Sequence, residues 1–343
     1  MSQSTQMLSR AITLENGQKG LLVVDENTRI RDLKPQKLIS VLTNRYELER
    51  SIRHKGFEDV RFSDFDFNPF PDSSLDLVAH RVGKDKSATH HIINQAFRIL
   101  KPGGRLILAG VRKEGTKTYG EKASALFACS AESQTTSLGA RIVILQKNGE
   151  AKENFLNDKD YSLIRNIELN EELVVSSKPG IFGWEKIDQG SKFLVENLPS
   201  FEGKTVIDLG CGYGYLSIQA KRLGANKVLA TDNNAAAIDC CIANFEKFEI
   251  EGSVEASNAA KHWDKEIADI VLCNPPFHKG TKQSSSAADV FSRSMRKILK
   301  KDGAAYVVVN AFVPFEKAAK EHFDYVEVLA NNKQFKVLKL SST

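Results

Sequence analysis

A glycine-rich segment in the second half of the chain, residues 208–214 with the sequence DLGCGYG, restricts the possible folds more than any other feature. The apolar residues Val206 and Ile207 lead into it, and a stretch with helical periodicity, residues 215–223, follows it. Glycines between a strand and a helix let the backbone turn sharply and lie close to a nucleotide at the carboxyl end of the strand. The segment therefore predicts an α/β domain with a parallel sheet and a nucleotide-like ligand at its edge.

One order of predicted elements occurs twice along the chain: a buried strand, a helix, a turn with lysine and glycine, and a second strand. In the first half these elements are predicted at residues 75–79, 91–100, 101–104 and 105–110, and in the second half at residues 268–273, 288–299, 300–303 and 304–310. Strands that alternate with helices in this way are typical of a parallel sheet. We therefore predict an α/β fold of two tandem Rossmann-like domains related by duplication. We expect them to cover residues 1–155 and 170–343, joined through the polar stretch 147–160.

The first copy lacks the residues that a ligand at this edge needs. The loop after its strand at residues 21–24 reads DENTR and contains no glycine, so the backbone cannot easily make the close turn. Its next strand, residues 38–42, is followed by Thr43 rather than by an acid, and Arg81 stands where the second copy has Asn274. We therefore expect the N-terminal domain to be a degenerate copy without a cofactor site.

Two acidic residues near the glycine-rich segment indicate which ligand the second copy binds. A dinucleotide fold also uses spaced glycines, but Asp208 would repel a pyrophosphate, whereas it suits the cationic amino acid portion of S-adenosylmethionine. Asp232 closes the next predicted strand, residues 227–232, where a carboxylate can accept hydrogen bonds from both ribose hydroxyls. Together with Gly210 and Gly212, the two acids predict a site for S-adenosylmethionine.

Other candidate cofactor-binding residues are open to two interpretations each. Asn258 follows the third predicted strand and would lie beside the adenine, or it is an exposed loop residue. Residues 179–184 (PGIFGW) and 188–191 (DQGS) would fold over the methionine end of the cofactor, or they form a turn held by an aromatic side chain. The candidates in these segments and beside Asp232 are Pro179, Phe182, Asp188, Asn233 and Asn258.

The sequence Asn274-Pro275-Pro276-Phe277 ends the fourth predicted strand of the second copy and bears on the chemistry. Two successive prolines cannot donate ladder hydrogen bonds, so the strand must stop there. The rigid turn would direct two acceptors, the Asn274 side-chain oxygen and the Pro275 carbonyl, toward the two N–H groups of a planar amine. Phe277 offers a flat face on which a ring can stack. We therefore predict methylation of an exocyclic amino nitrogen, a displacement in which positioning is the main contribution.

The distribution of positive charge along the chain is the sequence feature that bears on the substrate. Residues 1–150 contain 23 Lys and Arg against 17 Asp and Glu, a net charge of +6, whereas the rest of the chain contains 25 against 26. Such an excess is typical of a phosphate-facing surface, or of charge scattered over a solvated one. Next to the proline turn, His278 and Lys279 would contact a phosphate or the base, or lie in a solvated loop. The basic residues of the first half include Arg29, Arg31, Lys34, Lys37, Arg81, Lys84 and Lys86.

The composition excludes several classes of protein. Hydrophobic residues make up 41% and charged residues 27%, and no apolar run reaches the roughly 20 residues that span a bilayer. The polar residues 1–10 lack the apolar stretch of a signal peptide. The five cysteines show neither the spacing of a zinc site nor that of a disulfide framework. We therefore expect a cytoplasmic protein with no metal and no membrane partner, and we also expect a monomer.

The motifs DLGCGYG, TDNN and NPPFHKG occur in the order found in class I amino-methyltransferases, which this chain resembles. The segments PGIF at residues 179–182, DQG at 188–190 and NAFVPF at 310–315 look like those of the ribosomal RNA guanine-N2 methyltransferases. A degenerate N-terminal copy of the fold makes this likeness closer. The family often has a tyrosine after its later proline, where this chain has Phe315.

The resemblance implies two class I methyltransferase domains, the first of them degenerate. It also implies S-adenosylmethionine-dependent methylation of guanine N2 in 16S ribosomal RNA. It assigns Asn274, Pro275 and Phe277 to the turn that binds the amine. The residues that it assigns to the cofactor are Asp208, Gly210, Gly212 and Asp232.

The motifs alone do not identify the acceptor nitrogen, because adenine N6, cytosine N4 and a glutamine side-chain amide all present a planar nitrogen to the same turn. A basic extra domain without a cofactor suits a polyanion better than a protein substrate. We therefore expect residues 1–155 to be an RNA platform. An RNA-binding ribosome assembly factor whose catalysis is incidental remains an alternative.

Overall fold

The computed structural model describes residues 2–149, 155–276 and 281–343, without the side chains of residues 2 and 281–286. Its contacts divide the chain into two compact units, Met1–Leu163 and Ile164–Thr343. Each unit is an α/β structure built on one seven-stranded sheet. The predicted fold class, two tandem Rossmann-like domains, is confirmed.

The sheet of the N-terminal unit has the strand order β3-β2-β1-β4-β5-β7-β6. The strands β1 to β5 run parallel to one another, β7 runs antiparallel to β5, and β6 runs antiparallel to β7. The strands are β1 (Gly20–Val24), β2 (Ile39–Thr43), β3 (Val60–Phe62), β4 (Leu75–Arg81), β5 (Leu100–Val111), β6 (Glu132–Thr135) and β7 (Ala140–Gln146). The helices are α1 (Ser2–Ala11), α2 (Tyr46–Lys55), α3 (Lys86–Ile99) and α4 (Thr116–Phe127), with short 3-10 turns at Ile30–Asp32 and Arg112–Glu114.

The C-terminal unit begins with a hairpin, β8 (Arg165–Asn170) and β9 (Leu173–Ser177), and continues with a second seven-stranded sheet in the order β12-β11-β10-β13-β14-β16-β15. Its strands are β10 (Thr205–Leu209), β11 (Lys227–Asp232), β12 (Gly252–Ala256), β13 (Ala268–Cys273), β14 (Leu299–Asn310), β15 (Tyr325–Asn331) and β16 (Phe335–Ser341). Its helices are α5 (Gln189–Val195), α6 (Tyr215–Arg222), α7 (Ala235–Lys247), α8 (Thr281–Ile298) and α9 (Phe315–Ala319).

The two sheets repeat one strand permutation, and equivalent ion pairs brace them. Asp76 of β4 lies 2.9 Å from Nζ of Lys101 on β5. Asp269 of β13 lies 3.0 Å from Nζ of Lys300 on β14. Each pair joins the fourth and fifth strands of its sheet near their amino ends, which is the relationship expected of a duplicated fold.

The parallel strands are buried on both faces, which explains why they read as continuous apolar runs. Every residue of β1 is buried. In the second sheet, one face packs against α6 and α7 through Leu216 and Phe245, and the other packs against α8 through Met295. Helices on both faces of a parallel sheet remove the alternation of apolar and polar residues that a half-exposed strand shows.

The predicted strand positions agree with the structure more closely than the predicted helix starts do. The predicted strands at residues 227–232 and 268–273 coincide with β11 and β13. The helix predicted at 91–100 begins earlier, at Lys86, because Asp85 caps it by accepting a hydrogen bond from the amide of Ala88 at 2.9 Å. The helix predicted at 288–299 likewise begins at Thr281. In both helices, polar residues fill the first turns, so apolar periodicity marks only the part that packs on the sheet.

No helix among the described residues combines the length and the apolar character needed to cross a membrane. All five cysteines are free thiols, and four of them are buried. Burial raises the pKa of the Cys273 thiol well above its usual value, so this sulfur is protonated and unreactive.

Candidate active site

The carboxyl ends of β11, β10 and β13 lie side by side at one edge of the second sheet. The chain order reverses there, because β11 lies on one side of β10 and β13 on the other. A crevice forms at such a switch point, and ligands of open α/β sheets bind in it. The glycine-rich segment follows β10, Asp232 ends β11 and Asn274 follows β13. The fold thus brings the three predicted motifs to one edge.

The glycine loop leaves bare backbone facing open space. Gly210 and Gly212 have φ angles of +87° and +54°, in the left-handed region that favours glycine. A Cβ on Gly210 would meet no atom within 4 Å, whereas a Cβ on Gly214 would lie 3.0 Å from Sγ of Cys241 on α7. Gly214 is therefore required for packing, while the first part of the loop offers the open surface that a nucleoside needs. This geometry fits S-adenosylmethionine.

Asp232 both supports this loop and retains acceptors for a ligand. Its Oδ2 accepts a hydrogen bond from the amide of Gly212 at 3.0 Å, and its Oδ1 accepts one from the amide of Asn234 at 2.9 Å. Each carboxylate oxygen has a further lone pair. The carboxylate can therefore receive two ribose hydroxyls while it holds the loop, and the loop-holding contact is one that the sequence did not indicate.

Asp208 is completely buried, which changes how it can act. Its Oδ2 accepts hydrogen bonds from the amide and the hydroxyl of Ser217, at 2.9 and 2.7 Å. Its Oδ1 has no partner among the described residues. Burial raises the pKa of Asp208 to about 7, with the charge of Asp232 adding to the effect and the Ser217 hydrogen bonds opposing it. Asp208 therefore carries a charge that can attract a cation only when it is ionised, and it has no exposed surface for a direct contact.

The loop at residues 179–184 is attached to the start of α7. Asn234 accepts a hydrogen bond from the amide of Ala236 as the N-cap of this helix, and its Nδ2 donates to the carbonyl of Gly180 at 2.8 Å. Trp184 packs against the core, whereas Phe182 is 76% exposed. Both interpretations of the loop therefore keep support, since Trp184 anchors the turn and Phe182 remains available to a ligand.

Three further candidates for cofactor binding remain. Asn233 stands between β11 and α7, directly after Asp232. Asn258 is exposed just beyond the end of β12, and its neighbour Ser257 donates its amide to the carbonyl of Asp232 at 2.9 Å. Pro179 is buried at the start of the loop described above. Their contacts with a cofactor stay predictions.

Asn274 is held by two residues at the start of α5. Its Nδ2 donates to Oδ1 of Asp188 at 2.7 Å and to Oγ of Ser191 at 2.9 Å. The same Asp188 oxygen caps α5 by accepting the amide of Ser191 at 2.9 Å. Of the prolines that end β13, Pro275 is buried and Pro276 is exposed. The amide of Asn274 is therefore fixed in one orientation beside the crevice.

Three predicted site residues, Phe277, His278 and Lys279, lie outside the described residues. The proposed stacking face and the proposed phosphate contacts therefore stay predictions.

The matching edge of the N-terminal unit is filled rather than open. Arg81 ends β4 at the place of Asn274, and its side chain is fully buried with its Nη1 2.8 Å from Oε2 of Glu114, which is 3% exposed. A Cβ on Gly83 would lie 2.6 Å from a carboxylate oxygen of Asp25. The backbone after β4 thus packs directly on the loop after β1, where the C-terminal unit has its open glycine loop.

Burial of Arg81 corrects one part of the charge analysis. From the sequence, Arg81 was expected among the basic residues exposed on a surface. Its guanidinium has no exposed area. Lys84 and Lys86 are exposed just after β4, at the carboxyl edge of the sheet. Lys37 is also exposed, but it comes two residues before β2 and so lies at the amino edge. The basic residues of the first half therefore do not form one face.

Three polar residues that hold the site were not predicted from the sequence. Ser191 contacts Asn274, Ser217 contacts Asp208, and Asn234 ties the loop at 179–184 to α7. Asn234 had a readable signal, because asparagine before a run of alanines is a typical helix N-cap. Ser191 and Asn274 are distant in the sequence, and Ser217 and Asp208 lie on opposite sides of the glycine loop. No local sequence pattern predicts either contact.

One group of possible metal ligands, Asp289, Glu321 and His322, occurs within the described part of the chain. Asp289 is already engaged by His322 at 2.8 Å and by Arg293 at 3.1 Å. A neighbouring guanidinium disfavours a cation, so we interpret the group as a surface ion-pair cluster.

Comparisons with known proteins agree with the motifs. Residues 172–339, nearly the whole C-terminal unit, match the family model of the methyltransferase small domain. The chain is 28% identical over 346 residues to "Ribosomal RNA small subunit methyltransferase C" of Shewanella loihica, covering 98% of each protein. It is 29% identical to the protein of the same name from Shewanella pealeana, covering 78% of this chain and 77% of that one. The predicted resemblance is confirmed.

A solved structure shares the fold of the whole chain. It is a T. thermophilus 16S rRNA N2 methyltransferase in complex with AdoMet and guanosine, with a TM-score of 0.82 and 22% sequence identity. The match covers 99% of this chain and 92% of that one. The two-unit architecture is therefore common to both proteins.

Proposed function

We propose that this chain, whose C-terminal unit is a methyltransferase small domain, is an S-adenosylmethionine-dependent methyltransferase that acts on N2 of a guanine in 16S ribosomal RNA. The observation that carries the proposal is the fixed amide of Asn274, at a switch point beside an open glycine loop. The relatives named for a ribosomal RNA methyltransferase support the choice of substrate.

The cofactor lies along the carboxyl edge of β10 and β11. Gly210 and Gly212 present bare backbone to it, Asp232 accepts its ribose hydroxyls, and the charge of Asp208 attracts its ammonium group. The remaining residues that we assign to it are Pro179, Phe182, Asn233 and Asn258, whereas the carboxylate of Asp188, which the sequence also suggested for the cofactor, contacts Asn274 instead. When bound, S-adenosylmethionine supplies a methyl group on a positively charged sulfur.

The guanine amine lies at the proline turn. The side-chain oxygen of Asn274 and the carbonyl of Pro275 accept its two N–H groups, and Phe277 stacks on the base. Accepting both protons fixes the nitrogen and favours a pyramidal geometry, which exposes its lone pair in the direction of the methyl group. No strong base is needed, because the proton that the nitrogen loses leaves an already acidic ammonium. Pro276 keeps the turn rigid, and His278 and Lys279 contact the base or a phosphate.

The N-terminal unit contributes to RNA binding rather than to cofactor binding. The filled edge around Arg81 leaves no room for a nucleoside, which supports a degenerate copy over residues 1–155 and a catalytic domain over residues 170–343. A paired guanine must be extruded before its amine can reach Asn274, at a cost of a few kcal/mol. Phosphate contacts by exposed lysines such as Lys84 and Lys86 offset this cost and position the RNA. The enzyme acts in the cytoplasm as a monomer.

Mapping base modifications in ribosomal RNA by mass spectrometry, in a strain that lacks the protein, tests this function. We expect the loss of one N2-methylguanine from 16S RNA and its return when the wild-type gene is restored. Purified protein given naked 16S RNA and small subunits then identifies the substrate. A missing methyl group on an adenine or on a protein glutamine would favour the other acceptors. RNA binding without any methyl transfer would favour an assembly factor.

A further inference from the structure

The contact between Asp188 and Asn274 determines which end of the Asn274 amide faces the crevice. An asparagine amide has a donor end and an acceptor end that are nearly the same size, so packing alone does not choose between them. Asp188 Oδ1 already accepts the amide of Ser191 at 2.9 Å, and as a carboxylate oxygen it offers only acceptors. Only the Nδ2 end of Asn274 can therefore face it, as the 2.7 Å contact shows.

The orientation matters because an amino group presents donors. With Nδ2 on Asp188 and on Ser191, the amide oxygen of Asn274 lies on the other side of the group. The opposite orientation would turn two donors toward the donors of the substrate amine, and no hydrogen bond would form. We propose that Asp188 is a positioning residue that sets the acceptor orientation of Asn274, in addition to capping α5. This inference rests on the proposed function.

A charge exchange between the two positions tests the proposal. Asn274→Asp would place two carboxylates at the 2.7 Å contact, so each would repel the other and the acceptor would move away. Adding Asp188→Asn lets Nδ2 of residue 188 donate to the carboxylate of residue 274, so that one oxygen of residue 274 again faces the crevice. The cap bond from the amide of Ser191 is lost in this orientation, because the same atom of residue 188 accepts it in the wild type. We expect Asn274→Asp to lose most of its kcat, and the double variant to recover at least about tenfold of it. A double variant no more active than Asn274→Asp would overturn the proposal.

Single variants separate positioning from helix capping. Asp188→Ala should lower kcat about tenfold to a hundredfold, because it frees the Asn274 amide to rotate. Asp188→Asn should keep most of the activity, since asparagine is also a good N-cap and can accept from Nδ2. Affinity for S-adenosylmethionine, measured by calorimetry, should stay within about twofold in both. An Asp188→Ala protein that loses cofactor affinity but keeps kcat would mean that Asp188 binds the cofactor instead.

Asp85 offers a matched control, because it caps α3 in the other unit with the same geometry. Asp85→Ala should lower the melting temperature about as much as Asp188→Ala does, with kcat unchanged. If Asp188→Ala also leaves kcat unchanged, Asp188 is only a helix cap and the proposal is wrong. If the wild type transfers no methyl group to 16S RNA, the proposed function has failed, and guanosine affinity in the exchange series still tests the orientation.

Discussion

The guanidinium of Arg81 lies 2.8 Å from the carboxylate of Glu114, in the place where the C-terminal unit holds Asn274. Both side chains are buried, and Nε and Nη2 of Arg81 have no partner among the described residues. An internal ion pair thus occupies, in the N-terminal unit, the position that the Asn274 amide occupies in the C-terminal unit. The pair fills the edge of the N-terminal sheet at the place where the edge of the C-terminal sheet is open.

Removing only one partner of this ion pair should destabilise the folded protein strongly. We expect Arg81→Met to lower the free energy of unfolding by about 3–5 kcal/mol, because it leaves the Glu114 carboxylate buried without a counter-charge. Arg81→Met combined with Glu114→Leu should cost less, since no charge is then buried. Urea denaturation measures both values. A single variant as stable as the double one would show that Glu114 reaches water and that the pair is not a buried one.

Asn274→Ala should separate chemistry from cofactor binding. The change removes an acceptor for the substrate amine but leaves the glycine loop intact, so we expect kcat to fall about tenfold to a hundredfold. Calorimetry should show near-normal affinity for S-adenosylmethionine. Asn226→Ala, at an exposed position before β11, is the control and should behave as the wild type. Full activity of Asn274→Ala would remove the residue from the proposed site.

Asp232→Ala should weaken cofactor binding strongly. Hydrogen bonds to a charged acceptor contribute about 1.5–3 kcal/mol each, and the variant also loses the bond that holds Gly212, so we expect a loss of about a hundredfold or more in affinity. Asp302→Ala removes an exposed carboxylate of the same unit and should leave the affinity unchanged. Unchanged affinity in Asp232→Ala would argue against an S-adenosylmethionine site at this edge.

Asp208 should make stability depend on pH. Burial raises the pKa of Asp208 to about 7 from its usual 3.8, so between these values the folded protein holds a proton that the unfolded chain has lost. The contribution of Asp208 to stability therefore falls as the pH rises from about 4 to 7 and is constant above that range. Thermal unfolding of the cofactor-free protein across this range should show a smaller decline for Asp208→Asn than for the wild type. Parallel curves for the two proteins would mean that Asp208 is ionised throughout.

Lys84 and Lys86 should contribute to RNA affinity through phosphate contacts. In the full-length chain, replacing both by alanine should reduce the slope of log affinity against log salt by about 2, since each lost phosphate contact lowers it by about 1. The same change at Lys34 and Lys37 shows whether exposed lysines elsewhere in this unit also take part. If both double variants keep the wild-type slope and affinity, the N-terminal unit is not an RNA platform.

Features that depend on residues adjacent to one another in the chain were predictable from the sequence. The glycine loop, the strands buried on both faces and the stop imposed by Pro275 and Pro276 depend on local backbone freedom and on runs of apolar residues. The duplication was visible for the same reason, because both copies repeat the same order of elements. These features determine the fold class and place Asp232 and Asn274 at one edge.

Contacts between distant residues were decided only by the tertiary structure. Asp188 meets Asn274 across 86 positions of the chain, and nothing near either residue indicates the other. The sequence showed Arg81 and Asp208 as charged residues, which are normally exposed, yet both are buried because each has a partner supplied by another element. Burial and pairing of a charge depend on what the fold brings around it, and a local pattern contains no information about that neighbourhood.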